Sequence, residues 1–185
     1  VIMVIGVPKE THEGETRIAA TPETVKKFVS LGHKVVVQTG AGISSNCPDS
    51  HYKEAGAVIA PSAAETCSEA EIVLKVSAPS EGEARSIREG AIVVASFSNQ
   101  ADIPLDAYAE RKLTCVAMER IPRITRAQSS DILSSQANVA GYKAVLMAAN
   151  EYQRMFPMLM TAAGTVKPAR LLVLGVGVAG LQAIA

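Results

Sequence analysis

The chain has no tryptophan, only 4% aromatic residues, three cysteines and three histidines. Cys47, Cys67 and Cys115 are scattered, odd in number and never arranged as CxxC, which argues against a disulfide framework and against a zinc site. His12, His33 and His51 lie near turn signals without HxxxH spacing, so no metal is expected. There is no block of like charge: 18 Lys plus Arg balance 18 Asp plus Glu, and neither a basic nucleic-acid footprint nor an acidic tail is present. Long apolar runs are missing too. The longest, residues 171–181, is interrupted by three glycines and falls short of the roughly 18 residues of a membrane span. The apolar start, residues 1–7, has no basic flank or cleavage signal and reads as a strand rather than a targeting segment.

What is present is a globular composition, 185 residues with 48% hydrophobic, long enough for one domain at roughly 100–150 residues and the beginning of another. Apolar, β-branched runs alternate with amphipathic stretches, the pattern of βαβ units and a parallel sheet covered on both faces. The class is therefore α/β, a Rossmann- or flavodoxin-like N-terminal domain followed by the start of a second domain. Strands are expected at residues 2–7, 34–38, 71–76, 91–97, 114–117 and 170–174, with a shorter one near Val58. Helices are expected after Thr21-Pro22-Glu23, ending at Gly32, and at 49–55, 62–70, 81–88 and 105–111; the first carries an N-cap followed by proline at its first position.

Two stretches break this rhythm. Residues 120–130, RIPRITRAQSS, hold three arginines and a proline directly after an expected strand, a place where loops often carry function. From Asp131 the pattern turns helical for about twenty residues, with Ile132, Leu133, Val139, Tyr142, Val145, Leu146 and Ala149 as its apolar face. Pro157 stops it, and the small residues 161–165 have the composition of a hinge. The expected organisation is an N-terminal α/β domain at 1–130, a linking helix and hinge at 131–164, and an incomplete nucleotide-binding domain at 165–185.

Beyond the hinge, an expected strand runs into Gly175-Val176-Gly177-Val178-Ala179-Gly180 and then a helix. A strand entering GxGxxG and opening a helix is the dinucleotide fingerprint. Gly175 makes the tight turn, Gly177 lets backbone approach a pyrophosphate, and Gly180 lets helix and strand pack closely. The acidic residue that holds the ribose, expected about 20 positions further on, would lie past Ala185, so the chain is expected to be a fragment of a longer protein.

These residues carry a family resemblance that spans the whole chain. Gly6-Val7-Pro8-Lys9-Glu10 with Glu15-Thr16-Arg17-Ile18-Ala19-Ala20-Thr21-Pro22 resembles the N-terminus shared by alanine dehydrogenases and the NAD(H)-binding component of proton-translocating nicotinamide nucleotide transhydrogenases. Gly40-Ala41-Gly42, Leu74-Lys75-Val76 and the terminal glycine turn match both branches. The segment from Pro122 to Tyr142, PRITRAQSSDILSSQANVAGY, resembles the transhydrogenase loop and helix start. That resemblance implies that Arg123, Gln128, Asp131 and Ser134 lie against the nicotinamide end of bound NAD(H). The residue types suit this role, since Gln128 and Ser134 can hydrogen-bond a carboxamide and an Arg123–Asp131 pair can fix the loop. In competition stands a purely local reading, in which Asp131 caps the helix and the arginines are solvated.

The second branch point is Ser96-Phe97-Ser98-Asn99-Gln100. Alanine dehydrogenases are similar here but carry a histidine near Asn99, which the resemblance pairs with an arginine matching Arg17 and a lysine matching Lys75 to engage the amino or keto acid. That histidine is absent, while Arg17 and Lys75 are read equally well as structural. The transhydrogenase branch implies hydride transfer from NADH to NADP⁺, without a catalytic acid or base in this chain. It also implies an NADP(H)-binding partner domain, a membrane-spanning proton-channel component, a homodimer, and a place on the cytoplasmic or mitochondrial-matrix face of an inner membrane. Glycines Gly175, Gly177 and Gly180 with Val178 and Ala179 would bind the cofactor. The alternatives are an NAD-dependent alanine dehydrogenase and a non-catalytic NAD(H)-binding module.

Overall fold

A computed structural model describes residues 2–98 and 103–185. Its contacts divide the chain into two compact units, Val1–Ile121 and Pro122–Ala185.

The first unit is built on six parallel strands, β1 (Val4–Val7), β2 (Lys34–Gln38), β3 (Val58–Ala60), β4 (Ile72–Ser77), β5 (Ile92–Ser96) and β6 (Thr114–Ala117), in the spatial order β3-β2-β1-β4-β5-β6. Among the described residues, five helices connect them: α1 (Pro22–Ser30), α2 (Asp49–Glu54), α3 (Ala63–Cys67), α4 (Glu81–Ser86) and α5 (Leu105–Glu110). Progress along the sheet reverses after β3, so the switch point lies between β1 and β4, and their carboxyl ends frame a crevice where open α/β sheets place ligands.

Alternation along the strands decides which helix covers which face. Ile5, Val7, Val35 and Val37 point to one side and pack with Val25 of α1 and Tyr52 of α2. On the other side Val73, Val93 and Ala95 pack with Cys67 of α3 and with Ile87. Gly6 shares that second face, and a Cβ there would lie 2.7 Å from the Thr66 carbonyl oxygen and 2.9 Å from Ala70 Cβ. The missing side chain is what allows α3 to sit against β1. The buried Tyr52 hydroxyl donates to the Ala20 carbonyl at 2.9 Å, and the Tyr108 hydroxyl donates to Pro79, so each buried ring keeps its polar atom satisfied. Burial pushes the Cys67 thiol up to about 12, which makes it a small hydrophobe rather than a nucleophile.

The second unit starts with a 3₁₀ turn at Thr125–Ser130, followed by the long α6 (Ile132–Glu151), an antiparallel hairpin of β7 (Leu159–Thr161) and β8 (Gly164–Val166), and α7 (Val178–Ile184). Two expectations change here, and the stretch expected as a hinge takes a definite local form. The small-residue stretch read as a hinge is the hairpin itself: Gly164 takes φ +134°, and the Thr161 hydroxyl accepts from Ala163 N at 3.2 Å and donates to Gly164 O at 3.1 Å. Composition alone does not separate a hinge from a tight turn. Residues 170–174 are not a strand, because among the described residues no ladder forms there. The face of α6 also differs: Leu133, Val139, Tyr142 and Leu146 are exposed, whereas Gly141 is its buried residue. Ala137, Val145 and Ala148, half-buried at the same three- and four-residue spacing, continue that side.

Gly6→Ala is expected to destabilise the first unit by about 1–3 kcal/mol, the usual cost of overpacking, read as a lower urea midpoint with an unchanged slope. An unchanged midpoint would show that α3 can withdraw from β1 freely.

Candidate functional site

The glycine-rich turn owes its shape to Gly175 and Gly180 and stays open at Gly177. Gly175 takes φ +101°, a conformation that other residues rarely adopt. A Cβ on Gly180 would drive into the Gly175 carbonyl oxygen and lie 3.0 Å from Gly175 C, so the turn closes on itself only with glycine at 180. Around Gly177, by contrast, a Cβ would meet nothing within 4 Å. Gly177 is also the N-cap of α7 and offers no side-chain cap. The first amides of α7, on Val178, Ala179 and Gly180, therefore receive no side-chain cap from Gly177 at the positive end of the helix. This fits a pyrophosphate, which needs close backbone approach and several N–H donors.

At the start of α6 the Asp131 carboxylate caps the helix. Its Oδ1 accepts from Leu133 N and Ser134 N, both at 3.0 Å, and Oδ2 accepts from the Ser134 hydroxyl at 2.6 Å. The Ser134 hydroxyl first, and the backbone amides with it, hold the Asp131 carboxyl below its ordinary range. Arg123 Nε stands 3.9 Å from Asp131 Oδ2, an ion pair without a hydrogen bond. The guanidinium is two-thirds exposed and the carboxylate buried. Gln128 is exposed on the 3₁₀ turn, and its carbonyl accepts from Asp131 N at 3.4 Å. Asp131 does cap the helix, and it gathers Ser134 and Arg123 around one carboxylate while doing so.

A second constellation occupies the crevice between β1 and β4. Lys75 is 5% exposed, and its ammonium donates to Glu83 Oε1 at 2.6 Å and pairs with Glu10 Oε2 at 3.7 Å. Glu10 accepts from Val76 N at 2.6 Å and Ser77 N at 3.4 Å. Glu83 completes a capping box with Ser80 and accepts from Thr11 Oγ1 at 3.2 Å. A cavity of about 210 Å³ opens beside this cluster, lined also by His12, Glu13 and Ser77. Burial raises the Glu10 carboxyl despite the nearby Lys75. For Glu83 burial acts in the same direction, but Lys75 and the Ser80 bonds outweigh it and the carboxyl is lowered. Two carboxylates thus surround one ammonium, and Lys75 is engaged by the protein itself. Arg17 is held by Glu15 through two bonds of 2.7 Å. Asn99 and Gln100 lie outside the described residues. Sequence reasoning singled out Lys75 without its partners; the Ser80-x-x-Glu83 spacing was a readable capping box, whereas no local pattern joins Glu10 to Lys75.

A glycine-rich turn and a capped polar loop lie in one compact unit, following the doubly wound α/β sheet in sequence. The chain belongs to the alanine dehydrogenase/PNT family: the pattern of its N-terminal domain matches residues 6–140 and that of its C-terminal domain residues 144–185. It is 52% identical over 189 residues to an NAD(P) transhydrogenase alpha-subunit protein of Rhodospirillum rubrum, covering 99% of this chain and 49% of that protein. An alanine dehydrogenase of Methanococcus maripaludis is more distant, 33% identical over 98% of this chain and 49% of its own. The crystal structure of a transhydrogenase from Sinorhizobium meliloti superposes with a TM-score of 0.89 at 49% identity, over 98% of this chain and 52% of that one. The chain therefore spans about half the length of these relatives.

Lys75→Met leaves Glu10 and Glu83 buried without their cation, and a loss of about 3–5 kcal/mol at neutral pH is expected. Both carboxyls would then titrate above their unfolded values, so the loss should shrink as pH falls into the carboxylate range and protonation removes the uncompensated charge. Urea unfolding at several pH values checks this; a pH-independent loss would mean that the cluster's charge does not set its worth.

Proposed function

We propose that the chain is the N-terminal part of the NAD(H)-binding component of a proton-translocating transhydrogenase, passing hydride from NADH to NADP⁺ held on a partner domain. A membrane-spanning component would couple that transfer to proton movement. The observation that carries this reading is the pairing, within the second unit, of an uncapped glycine turn with the Arg123–Asp131–Ser134 cluster at the head of α6. The higher identity to transhydrogenase alpha subunits than to alanine dehydrogenases supports it. In this reading residues 165–185 open a nucleotide-binding domain, the working assembly is a homodimer, and it sits on the cytoplasmic or matrix face of an inner membrane.

The nicotinamide supplies the hydride chemistry; the protein's work is to bind and orient. Gly175, Gly177, Val178, Ala179 and Gly180 would hold the pyrophosphate through backbone amides. Gln128 and Ser134 would present hydrogen-bonding groups to the carboxamide. Asp131 positions Ser134 by a 2.6 Å bond and steadies Arg123, so the loop keeps one shape. Hydride exchange between two dinucleotides requires no proton transfer, which agrees with a loop of orienting groups and with a Lys75 already engaged by Glu83 and Glu10.

In the polypeptide extended to the length of its relatives, Arg123→Ala and Asp131→Asn are expected to slow hydride transfer more than they weaken NADH binding, since a misplacement of order 1 Å can cost about 10²-fold in rate. Gly177→Val should instead abolish binding. Rates within twofold of the parent would remove the loop from the site.

The family branch is tested by two assays on that polypeptide. No L-alanine-dependent reduction of NAD⁺ is expected, whereas reduction of an NAD⁺ analogue by NADH should appear once an NADP(H)-binding partner is supplied. Positioned general-base help is typically worth about 10²–10⁴ in rate, so a robust alanine-dependent turnover would transfer the chain to the dehydrogenase branch.

A further inference from the structure

Glycine is, after proline, the poorest residue for a helix interior, yet Gly141 stands near the middle of α6 and is its buried residue. A Cβ built there would run into the Ala179 carbonyl oxygen and lie 2.9 Å from Ala179 C and 3.0 Å from Ala179 Cα. All three atoms are backbone, so no flexible side chain could move aside. Ala179 lies in the first turn of α7, where the glycine-rich fingerprint enters the helix, and that junction has no slack of its own, because Gly180 is packed equally tightly on Gly175. The backbone of α6 thus rests directly on the backbone at the start of α7, with no side chain between them.

Ten residues before Gly141 on the same helix, Asp131 gathers Ser134 and Arg123. At 1.5 Å per residue, those ten residues correspond to about 15 Å of continuous helix. We propose that Gly141 is a positioning residue: its bare backbone seats the pyrophosphate turn at a set distance from the Asp131 loop, so that α6 acts as the spacer between the two ends of the nucleotide site. This rests on the nucleotide-binding reading above. It adds to that reading a residue outside both the fingerprint and the loop.

A methyl group at 141 must push the Ala179 carbonyl away. The turn would move as a unit, keeping its own shape and its amides, while the separation from the Asp131 loop changes. Pyrophosphate capture should therefore survive and nicotinamide alignment should not.

The test uses the polypeptide extended to the length of its relatives. NADH affinity is measured by equilibrium dialysis. Nicotinamide placement is followed by the emission and anisotropy of bound NADH and by the hydride-transfer rate with an NADP(H)-binding partner. For Gly141→Ala the expected result is a dissociation constant within about threefold of the parent, altered emission of the bound nicotinamide, and a transfer rate lower by about tenfold or more. Gly82→Ala is the control, since a Cβ at that helical glycine meets nothing within 4 Å, and it should match the parent throughout. If Gly141→Ala does not fold, Ala179→Gly replaces it: it keeps the contact but loosens the turn, and a rate loss exceeding the affinity loss is again expected. Parent-like values in the variant that folds, or affinity and rate falling by the same factor, would overturn the spacer role and leave the nucleotide reading standing. A parent that does not bind NADH would overturn both.

Discussion

Strand β1 is hydrogen-bonded on both edges, to β2 and to β4, and the first unit is organised around that constraint. Only four residues long, β1 has to satisfy two ladders and bury both faces. Ile5 and Val7 fill one face, and Gly6 gives up its side chain on the other so that α3 can close over it. The helix that fits this gap is short and begins at a Ser62 cap, which accepts from Glu65 N at 3.2 Å. The chain then returns along β4, and at the carboxyl ends of β1 and β4 the loop after β1 reaches across through Glu10 to the amides of Val76 and Ser77. A ladder that ends at the switch point is thus continued by a side chain.

That continuation explains why a lysine can be buried there. Removing an ammonium from water is expensive unless it is paired and hydrogen-bonded. Glu83 supplies the close partner and Glu10 the second. The same Glu83 carboxylate caps α4, so the start of one helix, the end of one strand and the loop after another share a single polar junction.

Much of the first unit could be read in the sequence because its signals are local. Strand runs such as residues 34–38, the Thr21-Pro22 helix start and the capped α3 and α4 all depend on neighbours within a few positions. The glycine turn was readable for the same reason, as was Asp131 at a helix start. Legibility failed where the deciding partner is distant or where small residues do the packing. Nothing near Lys75 announces Glu10, 65 positions earlier. Large side chains such as Leu146 and Tyr142 suggested a buried face for α6, but a helix that approaches backbone this closely needs Gly141 there, and hydropathy does not register the absence of a side chain as a contact.

The uncapped start of α7 has an energetic corollary. A Ser, Thr, Asn or Asp at such a position would satisfy one of the first amides with a side-chain oxygen, and glycine in its place costs only about a few tenths of a kcal/mol. Gly177 supplies no such oxygen, and in the proposed reading a bound pyrophosphate would take its place. The amides of Val178, Ala179 and Gly180 should accordingly belong to the least protected backbone of the helix when the turn is empty, exchanging with solvent hydrogen on the timescale of local fraying. Occupancy would slow them by mass action, in proportion to ligand concentration over its dissociation constant. In that reading the start of α7 would be the part of the chain whose folding its ligand completes.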